Sequence, residues 1–251
     1  MTYCLAIKLN DGLVFASDSR GQAGVDYPSV YSKMYRFGLH QDRLMVLLAS
    51  GSITTIQAVV NRIRRDLENP GATRSLNSMA YLFDAATYVG EISVMEQEQH
   101  LAAMQRSGLS AEATFILGGQ IQGQPHDLYM IYPQGNYIMA TLDTPYLQIG
   151  ETKYGKPVLV RMISPETPLE DAARCALVSL DSTMRSNVSV GPPVELAIFR
   201  RDVFKLEHHL SLNATSAFYE TLQQEWGRGL RAAFDGLPRF EWENGTDVPA
   251  S

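Results

Sequence analysis

Two cysteines, Cys4 and Cys175, are all that the 251 residues contain. Both lie in apolar stretches and no secretory leader precedes them, so they read as reduced core residues and not as a disulfide framework. No apolar run reaches the roughly 18 residues of a spanning helix, and the first residues lack the charged-then-apolar order of a signal peptide. The chain is therefore expected in the cytoplasm, with no membrane partner, and the N-x-S/T matches at Asn187, Asn213 and Asn244 read as accidental. Basic residues are too few for nucleic acid: 21 Lys and Arg against 27 Asp and Glu leave a net charge of −6. The run at 62–65 reads as the solvated face of a helix. Phosphate loops, dinucleotide fingerprints, zinc-protease helices and G-x-S-x-G elbows are missing. His208 and His209, adjacent in a strand, point to opposite faces and read as surface histidines and not as a metal pair. No metal or organic cofactor is expected.

What is present is a globular composition, 45% hydrophobic, in a length that suits one large domain. Apolar runs at 2–9 and 13–19 flank Asn10-Asp11-Gly12, a strong hairpin signal. A buried strand follows at 43–50, after a turn expected near Gly38. Ile53, Ile56, Val59, Val60, Ile63 and Leu67 recur at helical spacing up to Pro70-Gly71, and a longer helical pattern runs from about Leu76 to Met104, with Gly108 beyond its end. Strands return at 113–119, 127–133 and 136–143. A helix is expected over 153–162, and Thr167-Pro168-Leu169-Glu170 has the form of a capping box opening another. A closing hairpin covers 194–210. A last helix, about 215–235, completes a single domain over 2–237, and 238–251 reads as a loose tail. Strands come in hairpins and helices in pairs, which argues for an α+β layered sandwich and against a parallel doubly wound sheet.

The chemistry points to the chain's beginning. Thr2 becomes the terminal residue once Met1 is trimmed. A threonine hydroxyl is a poor nucleophile until a base takes its proton. A free α-amine on the same residue is such a base, with an ordinary pKa of about 7.7–8.0. A nearby lysine ammonium pushes that value down. Asp18, at the end of the second strand, and Lys33 are available as an acid and an amine. Replacing Lys33 by Ala is expected to silence turnover while leaving the fold nearly intact. The hairpin's register bears on this. A two-residue loop, Asp11-Gly12, puts Asp18 on the opposite sheet face from Thr2; a three-residue loop, Asn10-Asp11-Gly12, puts them on the same face. The catalytic reading is taken to require the three-residue loop.

T-x-x-L-A-x-K near the terminus, G-L-V-F-A-S-D-S-R, a lysine after a polar loop, and L-x-A-S-G-S before a helix together resemble the proteasome β-subunit pattern. Within it the chain is most similar to the bacterial branch of proteasome homologues called Anbu. The resemblance covers most of the chain to about residue 205 and is specific in the first 55 residues. It implies an N-terminal nucleophile hydrolase fold, a four-layer αββα sandwich of two antiparallel sheets. It implies Thr2 as nucleophile, Asp18 and Lys33 as its acidic and basic partners, Gly51 as the oxyanion-hole donor, and Ser189 as support for the terminal amine. Gly21, Tyr31, Ala49 and Ile53 fall at substrate-binding positions and suggest an apolar preference. Two positions depart from the pattern: Glu151 stands where the family has a serine in a G-S-G turn, and Ser186 where it has an aspartate. The activity implied is threonine-type peptidase action on a peptide or unfolded protein, in a ring-like homo-oligomer. A self-assembling scaffold with little hydrolytic activity, or a small-molecule amidohydrolase on the same fold, are the alternatives. Glu151 itself reads as a surface residue on a turn.

Overall fold

A computed structural model describes residues 1–22, 28–37 and 42–244; the turn expected near Gly38 lies outside them. In chain order the elements are β1 (Tyr3–Leu9), β2 (Gly12–Asp18), β3 (Arg20–Gln22), β4 (Pro28–Val30), β5 (Met34–Phe37), β6 (Arg43–Gly51), α1 (Ile53–Glu68), α2 (Leu82–Arg106), β7 (Ala113–Ile121), β8 (Asp127–Ile131), β9 (Tyr137–Met139), β10 (Tyr146–Gly150), α3 (Thr152–Met162), α4 (Leu169–Ser186), β11 (Val194–Arg200), β12 (Leu206–Leu212) and α5 (Ala217–Asp235). They fall into two compact units, 1–214 and 215–251. The second holds α5 and a 3-10 turn over Glu241–Asn244, with Phe240 stacked on Trp242.

The first unit is built on two antiparallel five-stranded sheets, ordered β10-β1-β2-β11-β12 and β5-β6-β7-β8-β9, with β3-β4 as a separate small ribbon. Period-two alternation gives each sheet two apolar faces. Cys4, Ala6, Leu13 and Phe15 of the first sheet meet Leu44, Val46, Leu48, Ile116 and Leu128 of the second in one dry layer. The second sheet's other face, through Met45, Leu47, Phe115 and Leu117, packs on Ile56, Val59, Val60 and Ile63 of α1 and Ala85, Ala86 and Val89 of α2. On the first sheet's outer face, α4 lies against β1, β2 and β11, with α3 beside it. The α+β four-layer sandwich expected from the sequence is the observed fold. Among the described residues no helix is long and apolar enough to cross a membrane.

Several local expectations need correction. The second helix starts at Leu82 and not near Leu76. Before it, Ser78 Oγ accepts from the Ser75 amide and donates to the Ser75 carbonyl, and Arg43 Nη1 donates to the carbonyls of Leu76 and Met79. Those hydrogen bonds hold a turn where apolar spacing alone suggested helix. Thr167 does not cap α4; Pro168 is its N-cap, and Thr167 Oγ1 accepts instead from the Ser164 amide. Strand β10, short and next to a helix, was not foreseen. The first hairpin also has neither expected register. Its loop is Asn10-Asp11, Leu9 pairs with Gly12, and Cys4 pairs with Ser17.

Candidate active site

The ends of β1, β2, β6 and β10 converge. Continuing the hairpin register puts Tyr3 across from Asp18, so Thr2 and Asp18 do not share a sheet face. The contact forms all the same, because Asp18 is the last residue of its strand and its carboxylate accepts from backbone amides around it. Oδ1 accepts from the Tyr3 N–H at 3.0 Å, and Oδ2 from those of Arg20 and Gly191, each at 3.3 Å. Asp18 is wholly buried. Lys33, immediately before β5, supplies the balancing charge: its Nζ lies 2.7 Å from Asp18 Oδ1 and 2.8 Å from the Arg20 carbonyl. Two of the three ammonium protons are thereby engaged. The Lys33 carbonyl accepts from the Ala49 amide, which ties this segment to β6.

Thr2 is held from three sides. Its carbonyl accepts from the Glu151 amide at 2.8 Å. Gly150, at φ +84°, lies directly beneath, where an added Cβ would stand 1.9 Å from the Thr2 carbonyl oxygen. Behind it, the buried Tyr3 hydroxyl meets Ser179 Oγ at 2.7 Å and accepts from Gln148 Nε2, while Ser179 Oγ donates to the Gly155 carbonyl. Burial pushes the Tyr3 hydroxyl pKa up, so it stays a neutral anchor. Cys4, next in the strand, is also raised by burial and directs its thiol at the Ala49 carbonyl.

At the end of β6, Gly51 takes φ +119°, and an added Cβ would sit 2.3 Å from the Glu112 carbonyl. Only glycine fits. Ser52 then caps α1 by accepting from the Thr55 amide, and no acidic residue occupies that helix's first turn. The positive end of the helix dipole lies beside Gly51.

A cavity of about 490 Å³ opens over these groups, bordered by Met1, Thr2, Lys33, Gly51, Gly150 and Glu151. Gly21, Tyr31, Ala49 and Ile53 lie on its wall, together with Tyr35 and Ile56. Met1 borders the cavity beside Thr2 and is two-thirds exposed.

A family model described as proteasome subunit matches residues 2–199. The chain belongs to the proteasome subunit family. It is 25% identical over 210 residues to a proteasome subunit beta of Haloquadratum walsbyi, covering 83% of this chain and 77% of that one. Among solved structures it is similar to Anbu (ancestral beta-subunit) from Yersinia bercovieri, at 40% identity and TM-score 0.87, covering 95% of this chain and 98% of that one. It is likewise similar to an Anbu complex from Pseudomonas aeruginosa described as a helical assembly, at 41% identity and TM-score 0.88, with the same coverages.

On this proteasome-type frame, Thr2, Lys33 and Gly51 border one cavity, with Asp18 buried behind Lys33. Ser189 sits one step back. It lies in the loop between α4 and β11, and its hydroxyl donates to Asn187 Oδ1 at 2.6 Å. That loop reaches the site through Gly191, which holds Asp18. Ser186 is turned away, donating to the Ser182 carbonyl on its own helix. Glu151, read from sequence as a surface turn residue, is half-buried and borders the cavity. Sequence reasoning also missed Arg20, whose guanidinium donates to the Val188 carbonyl and packs against Gly191, where a Cβ would meet it at 2.3 Å. Its place directly after D-S in the sequence was the available signal.

Proposed function

We propose that this chain is an N-terminal nucleophile hydrolase that cleaves peptide amide bonds through Thr2 after Met1 is removed. The observation that carries this reading is the buried Lys33–Asp18 pair: Asp18 accepts from the amide of Tyr3, and Lys33 borders the same cavity as Thr2 and Gly51. Thr2 Oγ1 attacks the carbonyl carbon, and its proton passes to the freed α-amine. The Gly51 N–H and the N-terminus of α1 stabilise the oxyanion, an effect of about 2.7–4 kcal/mol for one well-aimed donor. Collapse expels the leaving amine, which takes its proton from the α-ammonium. Water then opens the Thr2 ester, losing a proton to the same amine. Tyr31, Tyr35, Ala49, Ile53 and Ile56 favour an apolar side chain next to the scissile bond.

The reading places the protein in the cytoplasm and in a homo-oligomer of many copies, supported by the helical assembly of the Pseudomonas aeruginosa relative. A second reading, a self-assembling scaffold with little turnover, is favoured by Ser186 facing away and by Glu151 standing at the cavity. A peptide epoxyketone with an apolar residue beside the warhead separates the two. It bonds to a hydroxyl and then to an amine on one residue, closing a six-membered ring. The hydrolase reading expects two covalent bonds to Thr2 in Met1-free protein, one to Oγ1 and one to the α-nitrogen, lost in Thr2→Ala and kept in part by Thr2→Ser. No adduct across several peptide sequences favours the scaffold.

A further inference from the structure

Among the described residues, the charged side chains around Thr2 are engaged, with one exception. Asp18, from β2, accepts four hydrogen bonds, three from backbone amides and one from Lys33. Lys33 is bound to Asp18 and to the Arg20 carbonyl. The guanidinium of Arg20, from β3, is bound to the Val188 carbonyl. Glu195 of β11 is taken by Ser32, with His209 of β12 at 3.9 Å. On α3, the Lys153 ammonium stands over the Tyr154 ring. Tyr31 and Tyr35 are the other titratable side chains among the described residues of the cavity wall. Among the charged side chains of the described residues here, Glu151 is the exception. It is the N-cap of α3, yet its side chain makes no capping bond. Among the described residues its carboxylate has no hydrogen-bond or ion-pair partner.

We infer that Glu151 is a positioning residue that holds the α-ammonium of Thr2 once Met1 is gone, and so sets the pH at which the nucleophile's base becomes free. The inference rests on the proposed N-terminal chemistry. The Glu151 nitrogen touches the Thr2 carbonyl oxygen, and three covalent bonds separate that oxygen from the Thr2 nitrogen. The Glu151 carboxylate, with both residues bordering one cavity, is therefore within reach of that amine. Lys33 and Glu151 act on the amine in opposite senses: the ammonium favours the free base and the carboxylate the protonated form. A serine at this position offers a hydrogen bond without the charge. With glutamate there, the terminus is held as an ion pair at neutral pH, and the site opens as pH rises.

The test uses full-length protein with Met1 removed by methionine aminopeptidase and the terminus checked by intact mass. The methyl group of Thr2, carbon-13 labelled and followed by methyl-TROSY NMR, reports protonation of its own amine without requiring turnover. Glu151→Gln keeps the backbone N–H that fastens Thr2 and removes only the charge. Its midpoint is expected to fall by about one pH unit or more, with Glu151→Ser falling alike and Glu151→Asp shifting least. Epoxyketone labelling at pH 7 is expected to be several-fold faster in Glu151→Gln than in the wild type, the two converging at alkaline pH. An unchanged NMR midpoint overturns the inference, as does labelling that slows in Glu151→Gln at every pH. A shifted midpoint with no labelling in any variant leaves the role of Glu151 standing and overturns the hydrolase reading. A Thr2 terminus that the aminopeptidase cannot expose overturns both.

Discussion

Lys33→Ala strands a carboxylate. Asp18 is fully buried, and Lys33 Nζ, 2.7 Å away, is its charged partner in a cavity wall where Lys33 is itself 8% exposed. Removing one member of a buried pair costs about 3–5 kcal/mol, because the other charge remains desolvated. Asp18 keeps three backbone N–H donors, from Tyr3, Arg20 and Gly191, so the lower end, about 3 kcal/mol, is the expected loss. For a chain of this size that is roughly 6–12 °C in Tm. This revises the sequence-based expectation that the substitution would leave the fold nearly intact. Urea and thermal unfolding at one fixed protomer concentration measure it, since assembly makes apparent stability concentration-dependent. A double-mutant cycle with Asp18→Asn isolates the pair: Lys33→Met combined with Asp18→Asn should cost clearly less than the sum of the two single changes. Epoxyketone labelling, run well below the variant's Tm, should be lost in Lys33→Ala and in Lys33→Arg, whose planar fork does not reproduce a point charge. A Lys33→Ala stability loss below about 1 kcal/mol, with additive behaviour in the cycle, would refute the reasoning: it would mean that the amides alone hold the carboxylate.

Gly150→Ala should abolish labelling while Gly123→Ala, in open space at the same sign of φ, leaves it intact, because only the first drives a methyl into the Thr2 carbonyl. His126 has its pKa lowered, first by burial and then by the nearby Lys8 and Arg201 charges, while its Nε2 bonds the Leu9 carbonyl. The unfolded chain therefore takes up that proton first, so stability should be complete above about pH 6.5 and fall as pH drops below it. His126→Gln should flatten that acid limb in urea titrations. Cys175, its pKa pushed up to about 11 by burial, and Cys4, raised further, should both resist Ellman's reagent at pH 8 in folded protein and react once it is unfolded. Sedimentation at micromolar concentration should show assemblies of many copies, and a purely monomeric species that labels with epoxyketone would contradict the proposed homo-oligomer.

The sandwich was legible because its signals are local. Alternation in β1, β2 and β6, the apolar stripe of α1 and the turn residues between them act within a few positions. The end of α2 was legible for the same reason. Its start was not, since the turn at Ser75–Ser78 is held by Arg43, more than thirty residues away. Thr2, Asp18, Lys33 and Gly51 could be singled out because they fall inside the pattern-bearing first 55 residues. The groups that hold them in place could not. Tyr3 depends on Ser179, Asp18 on Gly191, and Thr2 on Gly150 and Glu151, all long-range partners that no spacing rule connects. Strand β10 was missed for want of length, and with it the setting of Glu151.

The hairpin register shows why face-counting misjudged the site. Parity decides contacts between side chains that stand on the faces of a ladder. Asp18 is not such a residue. It ends its strand, and its carboxylate turns to meet amides from β1, β3 and the loop before β11. A carboxylate used this way is indifferent to whether it and Thr2 share a face, and the Asn10-Asp11 loop serves as well as the three-residue loop would. What the arrangement does require is that the amides stay where they are. The Gly191 amide comes from a loop packed on the Arg20 guanidinium, and the Tyr3 amide from a strand anchored through its hydroxyl to α4. Damage to either support should therefore reach Asp18 and Lys33 before it reaches Thr2. Tyr3→Phe, which removes the anchor while retaining the ring, is expected to slow labelling by Thr2 with little loss of stability.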